Sequence, residues 1–84
     1  MSNSNIHQII EQYPDETFIV ADGFDEAIIG VDEEHGRIVY DIDQVITILM
    51  RDDMSMDEAY DFYYYNIVGA YVGENTPIFV KLTR

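Results

Sequence analysis

The sequence predicts an α+β domain: a small antiparallel sheet of about four strands packed against a helical hairpin, with a short N-terminal helix. Two observations carry this prediction. Short β-branched and aromatic runs, punctuated by turn signals, fill 17–40 and recur at 77–82. Between them, 41–69 holds two apolar stripes at helical spacing, separated by Asp52-Asp53 and each opened by a capping residue. A chain of 84 residues is the length of a single domain, expected here over 1–84. Residues 1–4 are expected to fray, 5–13 to form the first helix and 17–82 the α+β core.

The first helix rests on Ile6, Ile9, Ile10 and Tyr13, which follow at i, i+3, i+4 and i+7 after a cap near Asn5. Pro14 ends it, because the residue before a proline is pushed out of the helical region. The run 17–21, TFIVA, has strand composition, and Asp22-Gly23 is a strong turn signal. A second strand is expected at 27–31. A loop at 32–36 follows, with Gly36 suited to a positive φ, and a third strand occupies 37–40. These spacings predict an antiparallel meander.

Asp41 caps the first main helix, whose run Ile42, Val45, Ile46, Ile48, Leu49 and Met50 is broad enough for deep burial. Ser55-Met56-Asp57-Glu58 reads as a capping box, in which the Ser55 hydroxyl and the Glu58 carboxylate accept from each other's backbone N–H. Met54 and Ala59 form a weak staple. Met56, Ala59, Tyr60, Tyr63 and Ile67 then make the inward stripe, and Gly69 is the expected stop. Two helices joined by so short a turn form a hairpin. Residues 70–76 are a connection. The last strand spans 77–82, with Pro77 tolerated at its start.

Charge narrows the function classes. Seventeen Asp and Glu face four Lys and Arg, a formal net charge of −13. The basic residues are Arg37, Arg51, Lys81 and Arg84. Such a chain repels nucleic acid and anionic membranes and attracts cations or basic protein surfaces. Acidity that serves only solubility is the plainer alternative. With no cysteine, disulfides and thiolate metal sites are excluded, and a reducing cytoplasm suits the chain. The opening MSNSNIHQ lacks the basic stretch of a secretory leader, and no apolar run approaches the roughly 20 residues that span a bilayer.

The outer face of the second main helix is the candidate partner-binding site. Asp52, Asp53, Asp57, Glu58 and Asp61 form an acidic row along the helix and its entry, with Phe62 and Tyr65 beside them as aromatic anchors. Packing of those rings under a sheet edge or the N-terminal helix is the alternative. Asp22, Asp25, Glu26, Asp32, Glu33 and Glu34 offer hard oxygen ligands for Mg²⁺ or Ca²⁺, but lack the alternating pattern of a calcium loop and read as turn chemistry. His7 and His35 lie in different segments without a zinc motif. Ser2, Ser4 and Ser55 have no nucleophile-elbow context, and Gly69 and Gly73 precede no phosphate-loop lysine. No catalytic residue, metal site or cofactor is expected.

Three blocks, 22–31 DGFDEAIIGV, 54–59 MSMDEA and 66–77 NIVGAYVGENTP, resemble a family of short proteins from tailed phages and prophages. The similarity covers about residues 17 to 81 and leaves the N-terminal helix outside. It implies a phage accessory protein made in the cytoplasm of an infected bacterium, and it supplies no catalytic residue. Three functions are then weighed. The first is a non-enzymatic inhibitor whose carboxylates imitate a phosphate backbone and occupy a basic, nucleic-acid-binding surface of a host defence or DNA-processing protein. The second is a self-associating structural or assembly protein, a homo-oligomer joined through GAYVG or the last strand. The third is a small metal-dependent hydrolase using the Asp-rich turns.

Overall fold

A computed structural model describes residues 5–70 and 73–83. The expected fraying of 1–4, Tyr71 and Val72 of the connection, and Arg84 lie outside the described residues. Among the described residues the architecture is α+β, three α-helices against a three-stranded sheet.

Helix α1 (Asn5–Gln12) buries Ile9 and packs Ile6 against the core. Its apolar stripe is narrower than expected, since Ile10 is exposed. The Tyr13 N–H closes the last turn on the Ile9 carbonyl at 2.9 Å.

The expected strand at 17–21 joins no ladder. Phe18 packs edge-on against Tyr13, with ring centroids 6.3 Å apart, while Ile19 and Val20 face outward. The Ala21 N–H donates to the Tyr40 hydroxyl at 2.7 Å, where a strand would have offered a carbonyl. Gly23, at φ +92°, turns the chain into a single 3-10 turn at Asp25–Ala27.

Strands β1 (Ile28–Asp32) and β2 (Arg37–Asp41) form the expected antiparallel pair. The register shifts between Ile28 and Gly30, a bulge that leaves Ile29 exposed. Gly36 takes φ +66° where the strands turn, and a Cβ there would meet the Asn75 side-chain nitrogen at 2.9 Å. That amide donates to the Gly36 carbonyl at 3.1 Å and ties the turn to the far end of the chain.

Strand β3 (Ile78–Val80) corrects two expectations. It is three residues long, and it pairs with β2 in parallel, Tyr40 opposite Phe79. Among the described residues the sheet is therefore mixed and three-stranded, in the order β1-β2-β3, where an antiparallel sheet of about four strands was expected. Parallel neighbours need a long crossover, and the helical stretch between β2 and β3 supplies it.

Helix α2 (Ile42–Met50) starts on Asp41, whose carboxylate accepts the Asp43 N–H at 3.1 Å. It buries Val45, Ile46 and Leu49. Asp53, at φ +69°, reverses the chain into helix α3 (Met56–Phe62). The capping box is complete: Ser55 Oγ accepts the Glu58 N–H at 3.1 Å, and Glu58 Oε1 accepts the Ser55 N–H at 2.8 Å. Ser55→Ala should lower stability by about 1 kcal/mol, read as a reduced urea midpoint with unchanged slope.

Gly69 is not the stop. The arm runs on through a π turn at Tyr63–Ile67 and a 3-10 turn at Val68–Ala70, and Gly73 beyond it takes a positive φ. The π turn has a packing reason. The buried residues are Ala59, Tyr63 and Ile67, spaced by four, while Met56 is exposed. In an α-helix every fourth residue overshoots a full turn by about 40°. The wider turn, closed from the Val68 N–H to the Tyr63 carbonyl, keeps Tyr63 and Ile67 facing the sheet. There the Tyr40 ring stacks on Phe79 at 5.3 Å, and Tyr63 meets Phe79 edge-on at 5.6 Å.

Candidate functional site

The face of α3 turned away from the sheet forms an open concavity of about 530 Å³. Asp53, Met54, Glu58, Asp61, Phe62, Tyr65 and Asn66 line it. Glu58, Asp61, Phe62 and Tyr65 stand at i, i+3, i+4 and i+7, so helical periodicity aligns them. The reversal at Asp53 folds Asp53 and Met54 back against that row. The concavity thus gathers Asp53, Glu58, Asp61, Phe62 and Tyr65 from the predicted site. Asp52 and Asp57 are exposed but outside its lining.

Met54 and Asn66 were not anticipated as lining residues. Met54 had been assigned to the staple. Asn66 continues the same helical row at i+8 from Glu58, a signal the sequence did carry.

The aromatic residues divide between two surroundings. Tyr63 is buried, and Tyr64 lies 5.0 Å from it and 6.3 Å from Tyr60 by ring centroids. Burial pushes the Tyr63 phenol up to about 12, reinforced by Tyr64 and Tyr60. Phe62 and Tyr65 have no ring partner among the described residues and are 38% and 80% exposed.

Two of the basic side chains, Arg51 and Lys81, are held elsewhere. Arg51 reaches Glu26 at 2.6 Å, and Lys81 reaches Asp43 at 2.6 Å. The hydrogen bond that the Lys81 ammonium donates to Asp43, with a second to the Tyr60 oxygen, holds it above its ordinary pKa. Among the described residues no cationic side chain pairs with Asp53, Glu58 or Asp61. One oxygen of Glu58 accepts from the Ser55 N–H, so this carboxylate is oriented by the cap.

The other acidic set does not assemble. Glu26 pairs with Arg51. Asp32 pairs with His35 at 3.0 Å, and that hydrogen bond holds the Asp32 carboxyl below its ordinary range. Glu33 accepts from the Tyr13 hydroxyl at 2.8 Å, a bond that raises the Tyr13 phenol. Among the described residues, no three His, Cys, Asp or Glu side chains converge as metal donors. His7 and His35 line separate surface hollows. Ser55 is engaged in its cap, and Ser2 and Ser4 lie outside the described residues. No helix among the described residues is long and apolar enough to cross a membrane.

No protein-family model, curated protein or solved structure matches this chain.

Proposed function

We propose that this chain is a non-enzymatic interaction protein that presents the α3 face to a basic surface of a partner protein. The observation that supports this reading is the concavity itself, in which Asp53, Glu58 and Asp61 pair with no cationic side chain among the described residues and Phe62 and Tyr65 have no ring partner there. Carboxylates in such a row can replace a phosphate backbone on a nucleic-acid-binding surface. With the resemblance to phage proteins, the reading becomes a phage-encoded inhibitor of a host defence or DNA-processing protein, acting in the bacterial cytoplasm.

A tagged pull-down from host cells, eluted stepwise with salt, identifies the partner. Surface plasmon resonance then tests the face. Asp61→Lys, away from the cap, should lower the association rate on the order of tenfold at low salt. The difference should shrink as the Debye length falls from about 10 Å at 0.1 M to about 3 Å at 1 M. A folded Asp61→Lys variant that binds like the parent, with affinity indifferent to salt, would return this face to ordinary solvated surface.

One observation favours the assembly reading as an alternative. Strand β3 ends the sheet, and its outer edge pairs with no strand among the described residues. A sedimentation coefficient that rises with protein concentration would support that reading.

A further inference from the structure

We infer that the concavity beside α3 is arginine-selective: it takes the guanidinium of an arginine carried on a basic protein segment, stacked on an aromatic ring and paired with a carboxylate. This rests on the interaction reading above and names the side chain the site recognises.

Charge complementarity comes first. The lining has three carboxylates, one amide and no cation. Asp53 and Asp61 are in none of the ion pairs among the described residues, so both remain available to an incoming cation. Glu58 keeps one oxygen beyond its bond to the Ser55 N–H.

The second observation is independent of charge. Phe62 and Tyr65 line the same hollow with no ring partner among the described residues, and Tyr65 is 80% exposed. Of the tyrosines at 63–65, Tyr63 is buried, Tyr64 is 60% exposed but leans on Tyr60 and Tyr63, and Tyr65 is the most exposed and the one without a ring partner among the described residues. It sits inside the π turn, a distortion that recurs at binding sites in other helices.

Together these features distinguish the two basic side chains. A lysine ammonium is a strongly hydrated point charge and gains chiefly from the carboxylates. A guanidinium is planar and weakly hydrated. It can lie flat on a ring while its edge donates two parallel hydrogen bonds to one carboxylate. A site with both a ring and a carboxylate in one open hollow therefore favours arginine. Asn66, on the rim of the same row, offers an amide donor and acceptor to the backbone of the segment that carries it.

The test uses the full chain and two short peptides of equal length and charge, one alternating Arg and Gly, the other Lys and Gly, titrated by calorimetry near 0.15 M salt. The Arg peptide should bind about fivefold tighter. Tyr65→Ala should abolish that preference by weakening the Arg peptide more than the Lys peptide, and Tyr65→Phe should retain it. Asp61→Asn should weaken both peptides. Equal affinities for the two peptides would overturn arginine selectivity and leave the basic-partner reading standing. A preference that survives Tyr65→Ala would also overturn the inference. If neither peptide binds even at low salt, the basic-partner reading fails with it. Urea midpoints of the variants confirm that the fold is intact.

Discussion

Tyr63→Ala should lower the stability of the fold by roughly 3–5 kcal/mol, read from the urea midpoint. Tyr63 is 4% exposed and lies at the junction of α3 with the π turn. Its ring contacts Phe79 of β3 edge-on and the neighbouring Tyr64 ring. Truncation removes buried apolar area, leaves a cavity between the helical arm and the sheet, and removes one of the two side chains that the π turn orients inward. Tyr63→Phe keeps the ring and should cost far less. It should also flatten the alkaline limb of the stability curve. In the unfolded chain the phenol titrates near 10.0, and in the fold burial holds it up to about 12. The folded state therefore keeps a proton that the unfolded state releases. Tyr63's contribution is complete below pH 10 and is lost as pH rises from there through about 12, on the order of 3 kcal/mol in all. An alkaline limb identical in parent and Tyr63→Phe would show that the phenol ionises without unfolding.

The parts of this fold legible in the sequence were those whose causes are local. The capping box needs only Ser55 and Glu58, and both hydrogen bonds are present. The β1–β2 pair needs a turn that Gly36 can make, and the α2–α3 hairpin needs two stripes and a break. What was misread depends on distant residues. β-propensity in 17–21 reflects a preference for packed, extended backbone, and here Phe18 packs on Tyr13 while the Ala21 N–H is satisfied by the Tyr40 hydroxyl, without a ladder. The direction of β3 is set by where the crossover delivers the chain, which propensity does not encode. The π turn did have a signal, since Ala59, Tyr63 and Ile67 repeat every four residues. That spacing also fits an α-helix with a broad stripe, for which Gly69 is the expected end. On the outer face of α3, helix periodicity predicts the row Glu58, Asp61, Phe62 and Tyr65, and these four line one concavity. The contribution of Met54 depends on the tight reversal at Asp53, where a non-glycine residue takes a left-handed conformation that its neighbours do not announce.

Truncating Tyr40 should cost at least as much as truncating Tyr63. It is 0% exposed, it stacks on Phe79, and its hydroxyl is the acceptor for the buried Ala21 N–H. Tyr40→Ala should cost roughly 4–5 kcal/mol, because the cavity opens between β2 and a β3 only three residues long. A domain of this size has a total stability of about 5–10 kcal/mol, so the variant should be close to unfolded at ambient temperature. Tyr40→Phe separates the ring from the hydroxyl. It keeps the stack on Phe79 but strands the Ala21 N–H without its acceptor, which should cost about 1–3 kcal/mol. The two contributions also differ in where they act. Because 17–21 has no ladder, the bond from the Ala21 N–H to the Tyr40 hydroxyl ties its end to the sheet. Tyr40→Phe should therefore speed amide hydrogen exchange at Ala21 well beyond what the global loss of stability produces. If exchange at Ala21 instead rises only in step with the rest of the core, packing of Phe18 and Ala21 holds the segment, and the hydroxyl is incidental.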